Sequence, residues 1–461
     1  MNLPGEEKRK TVRDMTQGKP MGLILGFSVP LLAGFLFQQF YTIIDTMIVG
    51  RFLGKYALAG VGSTGSINFL IVGFCMGLCG GFAIPIAQRF GAQDEESLRR
   101  FFANAIYVSA VLAVVITVTV SLLCGWILRV MNTPEDVYDY AYRYILVIFL
   151  GIPVTILYNL LSSIIRALGD SRHPVYFLMA SSVVNIGLDL IFILVFHMGV
   201  VGAALATVLS QLVAGICCIV YILRSMEILH IRRREMTPDR HHVRILMNMG
   251  VPMGLQYSIT ALGAVVLQTS VNGLGSDAMA AITAAQRVSM FFCCPFDALG
   301  QTMSTWGGQH VGAKKLDRVG EGLRDCVILG SVYSIAAFLV LFFFGDRLAG
   351  LFLGAGESAV LKNSRLFLII NSAFYIPLAL VNIVRFLIQG IGFPTFAILA
   401  GVCEMIARMA VGMLLVPAAG FVGAAFANPL AWIAADLFLI PAYRYEIRKL
   451  KRLFGEQSGG E

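Results

Sequence analysis

Residues 199–206 read GVVGAALA, and residues 420–427 read GFVGAAFA. The recurrence asks whether the chain is written twice, and the flanking sequence answers. LGKYALAG at 53–60 falls on LGSDAMAA at 274–281, and QRFGA at 88–92 falls on QHVGA at 309–313. Laying Pro30 on Pro252 aligns SVPLLAGF with GVPMGLQY, and RALGDSRHP at 166–174 meets RFLIQGIGFP at 385–394 after one gap. A shift near 221 residues therefore holds over most of both halves.

Composition fixes what is repeated. The 461 residues are 57% hydrophobic and 13% charged, with a mean hydropathy of +0.79, outside the balance of a soluble globular domain. A span needs about 20 apolar residues to cross a hydrocarbon core of roughly 30 Å. Twelve such stretches are predicted, at about 21–49, 57–84, 101–124, 139–163, 173–196, 201–223, 247–270, 281–306, 323–344, 364–389, 394–416 and 421–443. They are too long for barrel strands, so the predicted fold is an all-α integral membrane bundle. The nine cysteines lie scattered in apolar runs and suggest neither a disulfide framework nor a zinc site.

Lys and Arg sort the loops into two sets. One set holds Lys8, Arg9, Lys10, Arg13 and Lys19, then Arg89, Arg99, Arg100, Arg166, Arg172, Arg232–Arg234, Lys314, Lys315, Arg318 and the terminal RYEIRKLKR. The other holds only Arg51, Lys55, Arg129, Arg347 and Lys362. Basic loops stay on the cytoplasmic side, so both termini are expected there, with a multi-pass chain in the plasma (inner) membrane. The first twenty residues lack an apolar signal core and are expected to remain as a tail. The expected divisions are a tail at 1–20, six spans at 21–223, a basic linker at 224–246, six spans at 247–443 and a tail at 444–461. The net charge of +8 is topology signal under this reading, and no nucleic-acid partner is expected. His230, His241 and His242 in the linker stand among other charges, and a solvated face is expected there rather than a metal site.

Two six-span halves running in the same direction form a parallel repeat about an axis along the membrane normal, an architecture of transporters. The early VP of each half, YTIIDTMIVGRFLGKYALAGVG at 41–62, the paired QRFGA and QHVGA, and the duplicated VGAA together resemble the multidrug and toxic compound extrusion family over essentially the whole chain. That resemblance implies two six-helix lobes in a V around a central cleft. It implies an antiporter, not an enzyme, exporting amphipathic organic compounds, cations foremost, in exchange for Na⁺ or H⁺ by alternating access.

The intramembrane acids can be read beside it. At 1.5 Å per residue, Asp45 lies about 9 Å inside Arg51, Asp189 about 12 Å inside the loop at 197–200, and Thr207 about 8 Å inside the same surface. Asn185, four residues before Asp189, shares its helix face. Two carboxyls, an amide and a hydroxyl on one layer suit a hard cation or a proton, and two neighbouring buried acids favour protonation of each other. Interhelical hydrogen bonding is the alternative for each of the four. The resemblance implies that Asp45, Asn185, Asp189 and Thr207 bind the coupling ion and that Tyr41 stands nearby; no other cofactor is expected.

In the second half, Glu404 and Arg408 at i, i+4 read as a mutually neutralising pair, while Asp297 could find Arg287. Another branch of the family has an ion acid in the seventh span and another in the tenth; here the seventh has Gln256 and no carboxylate and the tenth has none, so an ion site on that plan is not expected. Pro30 and Pro252 are candidate hinges. Gln38, Asn159 and Gln256 are candidate polar contacts in a substrate cleft. Expected partners are membrane lipid and small amphipathic substrates, with the chain a monomer. A flippase for a lipid-linked saccharide precursor, on a related fold, is the second reading; it calls for cleft charges that are sparse here.

Overall fold

The computed structural model describes residues 14–352 and 358–458. Residues 1–13, most of the expected N-terminal tail with Lys8, Arg9, Lys10 and Arg13, and residues 459–461 of the C-terminal tail lie outside the described residues. No strand occurs among those described. The first half runs as α1 (Pro20–Leu53), α2 (Lys55–Ser63), α3 (Gly65–Gly91), α4 (Glu95–Val130), α5 (Glu135–Leu150), α6 (Ile152–Ala167), α7 (Arg172–Leu190) and α8 (Val200–Ser225). The second runs as α9 (Arg240–Asn272), α10 (Ser276–Gly312), α11 (Leu316–Gly350), α12 (Ser358–Ala373), α13 (Tyr375–Gly390), α14 (Pro394–Ala410), α15 (Val416–Ala425) and α16 (Ala427–Ser458).

Nine helical segments among the described residues are long and apolar enough to span a membrane. The bent pairs α5–α6 and α12–α13 bring the number to eleven. In the order of the chain α16 is the twelfth, long enough at 32 residues but less apolar. Three of the twelve predicted spans are thus not single straight helices: 57–84 is broken at Thr64 between α2 and α3, and 139–163 and 364–389 bend by 49° and 52° at Gly151 and Phe374. The cause of the two bends is local. Pro153 and Pro377 sit within the first turn after each bend, where a proline cannot donate to the preceding turn.

The backbone repeats in the same register as the sequence. Gly54 and Gly275 precede α2 and α10 with φ of 85° and 95°, and Gly199 and Gly420 have φ of 60° and 57°. Gln93 and Lys314, at φ of 57° and 56°, close α3 and α10 with the same bonds, Asp94 N to Arg89 O and Lys315 N to His310 O. Five-residue π turns follow α7 at Ile191–Val195 and α14 at Val411–Leu415.

Residues Ala33–Gly254 form one compact unit, and Met15–Leu32 with the chain from Leu255 onward form the other. The division falls within helices, not at the linker. Both α1 and α9 are continuous through their prolines, and each changes unit two residues after Pro30 or Pro252.

Lipid offers no hydrophobic drive between helices, so close packing at small residues must hold each unit together. A Cβ on Gly81 would lie 2.5 Å from Gly250 Cα, so in the first unit α3 and α9 meet backbone to backbone. In the second, a Cβ on Gly390 would lie 2.2 Å from Ser304 O, where α13 crosses α10. Phe82, Phe101, Phe149 and Ile164 fill the first core, and Trp306, Phe296 and Leu387 the second.

The linker is anchored to the first unit. Glu235 is buried and accepts from Arg99 Nε at 2.9 Å and from Arg232 N at 2.7 Å. Burial pushes the Glu235 carboxyl up, but the Arg232 N–H and the Arg99 guanidinium outweigh it and hold the group below its ordinary value. Asn104 Oδ1 accepts from Asp239 N at 2.9 Å. The linker histidines serve local contacts: His230 Nε2 lies 3.1 Å from Leu223 O, and the rings of His241 and His242 stand edge to face, with His242 on Asp239.

Candidate ion site in the first unit

Four helices supply the candidate site, all from the first unit. α1 carries Tyr41 and Asp45, α5 carries Tyr144, α7 carries Asn185 and Asp189, and α8 carries Thr207. The i, i+4 spacing puts Tyr41 with Asp45 on one face of α1 and Asn185 with Asp189 on one face of α7. Asp189 and Asn185 are 0% and 1% exposed.

Hydrogen bonding orients the group. Thr207 Oγ1 donates to Ala203 O of its own helix at 3.1 Å. Its lone pairs then face Asn185 Nδ2, at 3.5 Å, and the phenol of Tyr41 stands close to the same hydroxyl. Because the Asn185 amide turns its nitrogen to Thr207, its oxygen is left for another partner. The Asp45 and Asp189 carboxyls are within side-chain hydrogen-bonding reach of each other. Asp45 Oδ1, Asn185 Oδ1 and both Asp189 oxygens are buried without a donor among the described residues. Tyr144, which the sequence reading missed, closes the site beside both carboxyls. Its mark in the sequence was faint: one tyrosine among several in DVYDYAYRYIL.

No Lys, Arg or His side chain pairs with Asp45 or Asp189 among the described residues. A buried carboxylate without a countercharge costs several kcal/mol or more. The cluster can therefore take up a proton or a cation, since no described basic side chain neutralises it. Hard oxygens from two carboxyls, an amide and a hydroxyl fit Na⁺, and the carboxyl pair alone fits a shared proton.

The other acids have different surroundings. Glu404 is buried and bonded to Arg385, and its second oxygen accepts from Arg408 Nη2 at 3.3 Å. The expected Glu404–Arg408 pair is thus part of a triad, with Asp436 close to Arg385. Arg385 and Asp436 were missed by the sequence reading, although both could have been found. Arg385 stands in the repeat register of Arg166, and Asp436 is a lone acid in the apolar run AWIAADLFLI. Asp297 is exposed and makes no ion pair with Arg287 or any other described residue.

The remaining candidates are not gathered at this cluster. Gln38 is exposed on α1. Asn159 Nδ2 donates back to Thr155 O at 2.8 Å. Gln256 is buried, and its side-chain oxygen accepts from Gln389 Nε2.

Known proteins carry the same two-part signature. The MatE family model matches residues 30–191 and again residues 252–414. The protein named Probable multidrug resistance protein YoeA, from Bacillus subtilis strain 168, is 30% identical over 339 residues, 72% of this chain and 73% of its own length. Multidrug export protein MepA of Staphylococcus saprophyticus is 26% identical over 270 residues, covering 58% of this chain and 59% of its own. A solved structure described as the outward-facing conformation of a multidrug resistance MATE family transporter of the MOP superfamily superposes with a TM-score of 0.89. It covers 98% of this chain and 99% of its own at 22% identity. With the family signature present in both halves, the helical units and the relatives agree: this chain belongs to the MatE family, and it is a multi-pass membrane transporter.

Proposed function

We propose that the chain is a secondary active antiporter that exports amphipathic, cationic organic compounds from the cell in exchange for Na⁺ or H⁺, with Asp45 and Asp189 as the ion-binding pair. The observation that carries this reading is the set of four buried oxygens, on Asp45, Asn185 and Asp189, that no donor or cation among the described residues meets. Glu404 shows the contrast, since two arginines already neutralise it and nothing remains for an ion to do.

Ion loading at this pair drives transport if it prefers one conformation and substrate prefers the other; no direct contact between ion and substrate is needed. Passage of α1 and α9 from unit to unit beside Pro30 and Pro252 supports these prolines as the points where such a change bends the helices. Asp297, a carboxyl of α10 without an ion pair among the described residues, is the contact this reading assigns to a cationic cargo. The basic-loop pattern supports placement in the plasma membrane with both termini in the cytoplasm.

The test is efflux of a cationic dye from proteoliposomes holding the purified protein, with a Na⁺ gradient and a pH gradient imposed separately. Dye is expected to leave under at least one gradient and to stay when both are collapsed. Equal efflux without any gradient would mean that the carboxyl pair does not couple transport.

A further inference from the structure

The second unit contains a cavity of about 160 Å³ whose lining includes Thr260 and Gln268 of α9, Gln286 of α10, Phe367 of α12, Arg408 of α14 and Asn428 of α16. Its place is set by the repeat. Leu267, which also lines it, follows Asp45 at the offset that relates Pro252 to Pro30. Phe367 stands to Tyr144 as the helix break at Phe374 stands to that at Gly151, and Asn428 stands to Thr207 as Gly420 does to Gly199. The cavity is therefore the counterpart of the acid cluster, built on the corresponding helices and followed by the corresponding π turn.

Its polarity is reversed. An apolar leucine takes the place of Asp45, and the only ionisable group among the described lining residues is the guanidinium of Arg408, 8% exposed. Glu404 gives one oxygen to Arg408 at 3.3 Å and the other to Arg385 in a closer contact. Asp436 lies toward Arg385 and does not line the cavity. Of the five N–H groups on a guanidinium, Arg408 directs one to Glu404. The Gln286 amide is a further potential donor around the same space, and Asn428 Nδ2 gives one of its two N–H groups to Asn371 Oδ1 at 3.3 Å, which leaves the second. Thr260 is no donor there, since its hydroxyl donates to Gln256 O at 3.0 Å. The volume is well below the roughly 300 Å³ at which drug-sized ligands are held.

We propose that this cavity is a binding site for a small monovalent anion, chloride or the carboxylate of a short organic acid, with Arg408 as its charged ligand. The site is separate from the carboxyl pair and does not depend on which ion drives transport.

The test is the ³⁵Cl NMR line width of sodium chloride in the presence of the purified full-length protein in detergent. Protein with an intact site is expected to broaden the chloride line, and Arg408→Gln is expected to lose that excess. The variant keeps Glu404 paired to Arg385, and monodisperse elution on size exclusion checks its fold. Asn428→Leu, which fills the cavity without touching the triad, should lose the excess as well. Reversal of the broadening by sodium acetate extends the site to carboxylates, whereas insensitivity to acetate assigns it to the halide. Line widths that are the same for the parent protein and both folded variants would overturn the proposal.

Discussion

Asp45 of α1 and Asp189 of α7, 144 positions apart in the chain, bring their carboxyls within hydrogen-bonding reach of each other, with no described basic side chain paired to either. Two other buried acids have cations at hand: Glu235 has Arg99, and Glu404 has Arg385 and Arg408. That difference separates acids that hold the structure from acids that await a charge.

Asn185 and Thr207 should distinguish the two candidate ions. Asn185→Leu removes a ligand oxygen and the donor to Thr207. If Na⁺ is bound, the Na⁺ concentration for half-maximal efflux is expected to rise by roughly 5- to 100-fold. A proton held between the carboxyls needs no amide, so H⁺-driven efflux should change little. Proteoliposome efflux across a Na⁺ titration at fixed pH reads the outcome.

Glu235 should govern the docking of the linker and not the ion site. Its folded value is depressed, so its contribution is present above the ordinary carboxyl value of 4.5 and is lost as pH falls through the folded value below it. Glu235→Gln leaves Arg99 without its buried partner, at a cost of about 3 kcal/mol. Hydrogen exchange over residues 226–240 is expected to speed up in the variant at neutral pH and in the parent protein only in acid. Unchanged exchange in the variant would show that the pair does not fasten the linker.

Glycine substitutions should divide by contact. Gly390→Ala drives a methyl into Ser304 O and is expected to cost about 1–3 kcal/mol. Gly62→Ala meets nothing within 4 Å on helix α2 and should be neutral or stabilising by up to about 1 kcal/mol. Thermal unfolding in detergent compares them.

Asp297→Asn should lower efflux of a cationic dye while sparing a neutral substrate. Equal loss for both would assign Asp297 to the helix and not to cargo recognition.

Much of this was legible in the sequence, because in a membrane the two strongest signals are length of apolar run and the rarity of charge. The repeat at 199–206 and 420–427 announced the duplicated units, and Asp45 and Asp189 announced themselves by depth. The bends at Gly151 and Phe374 were not read, since an apolar run looks the same straight or broken. The transfer of α1 and α9 between units beside their prolines was also invisible, for it depends on which neighbours a helix meets and not on its own pattern. Arg385 and Tyr144 were overlooked because each sits in a run with its own plausible local role. Only the third dimension brings Arg385 to Glu404, nineteen residues away, and Tyr144 to two acids on other helices.

The central claim is that the carboxyl pair is the coupling device. It is tested most directly by gradient-driven dye efflux from proteoliposomes bearing Asp45→Asn or Asp189→Asn, with folding verified by size exclusion. Each variant is expected to lose gradient-driven efflux by about tenfold or more while remaining monodisperse. Efflux at the parent rate in both folded variants, under the same gradient, would contradict the account.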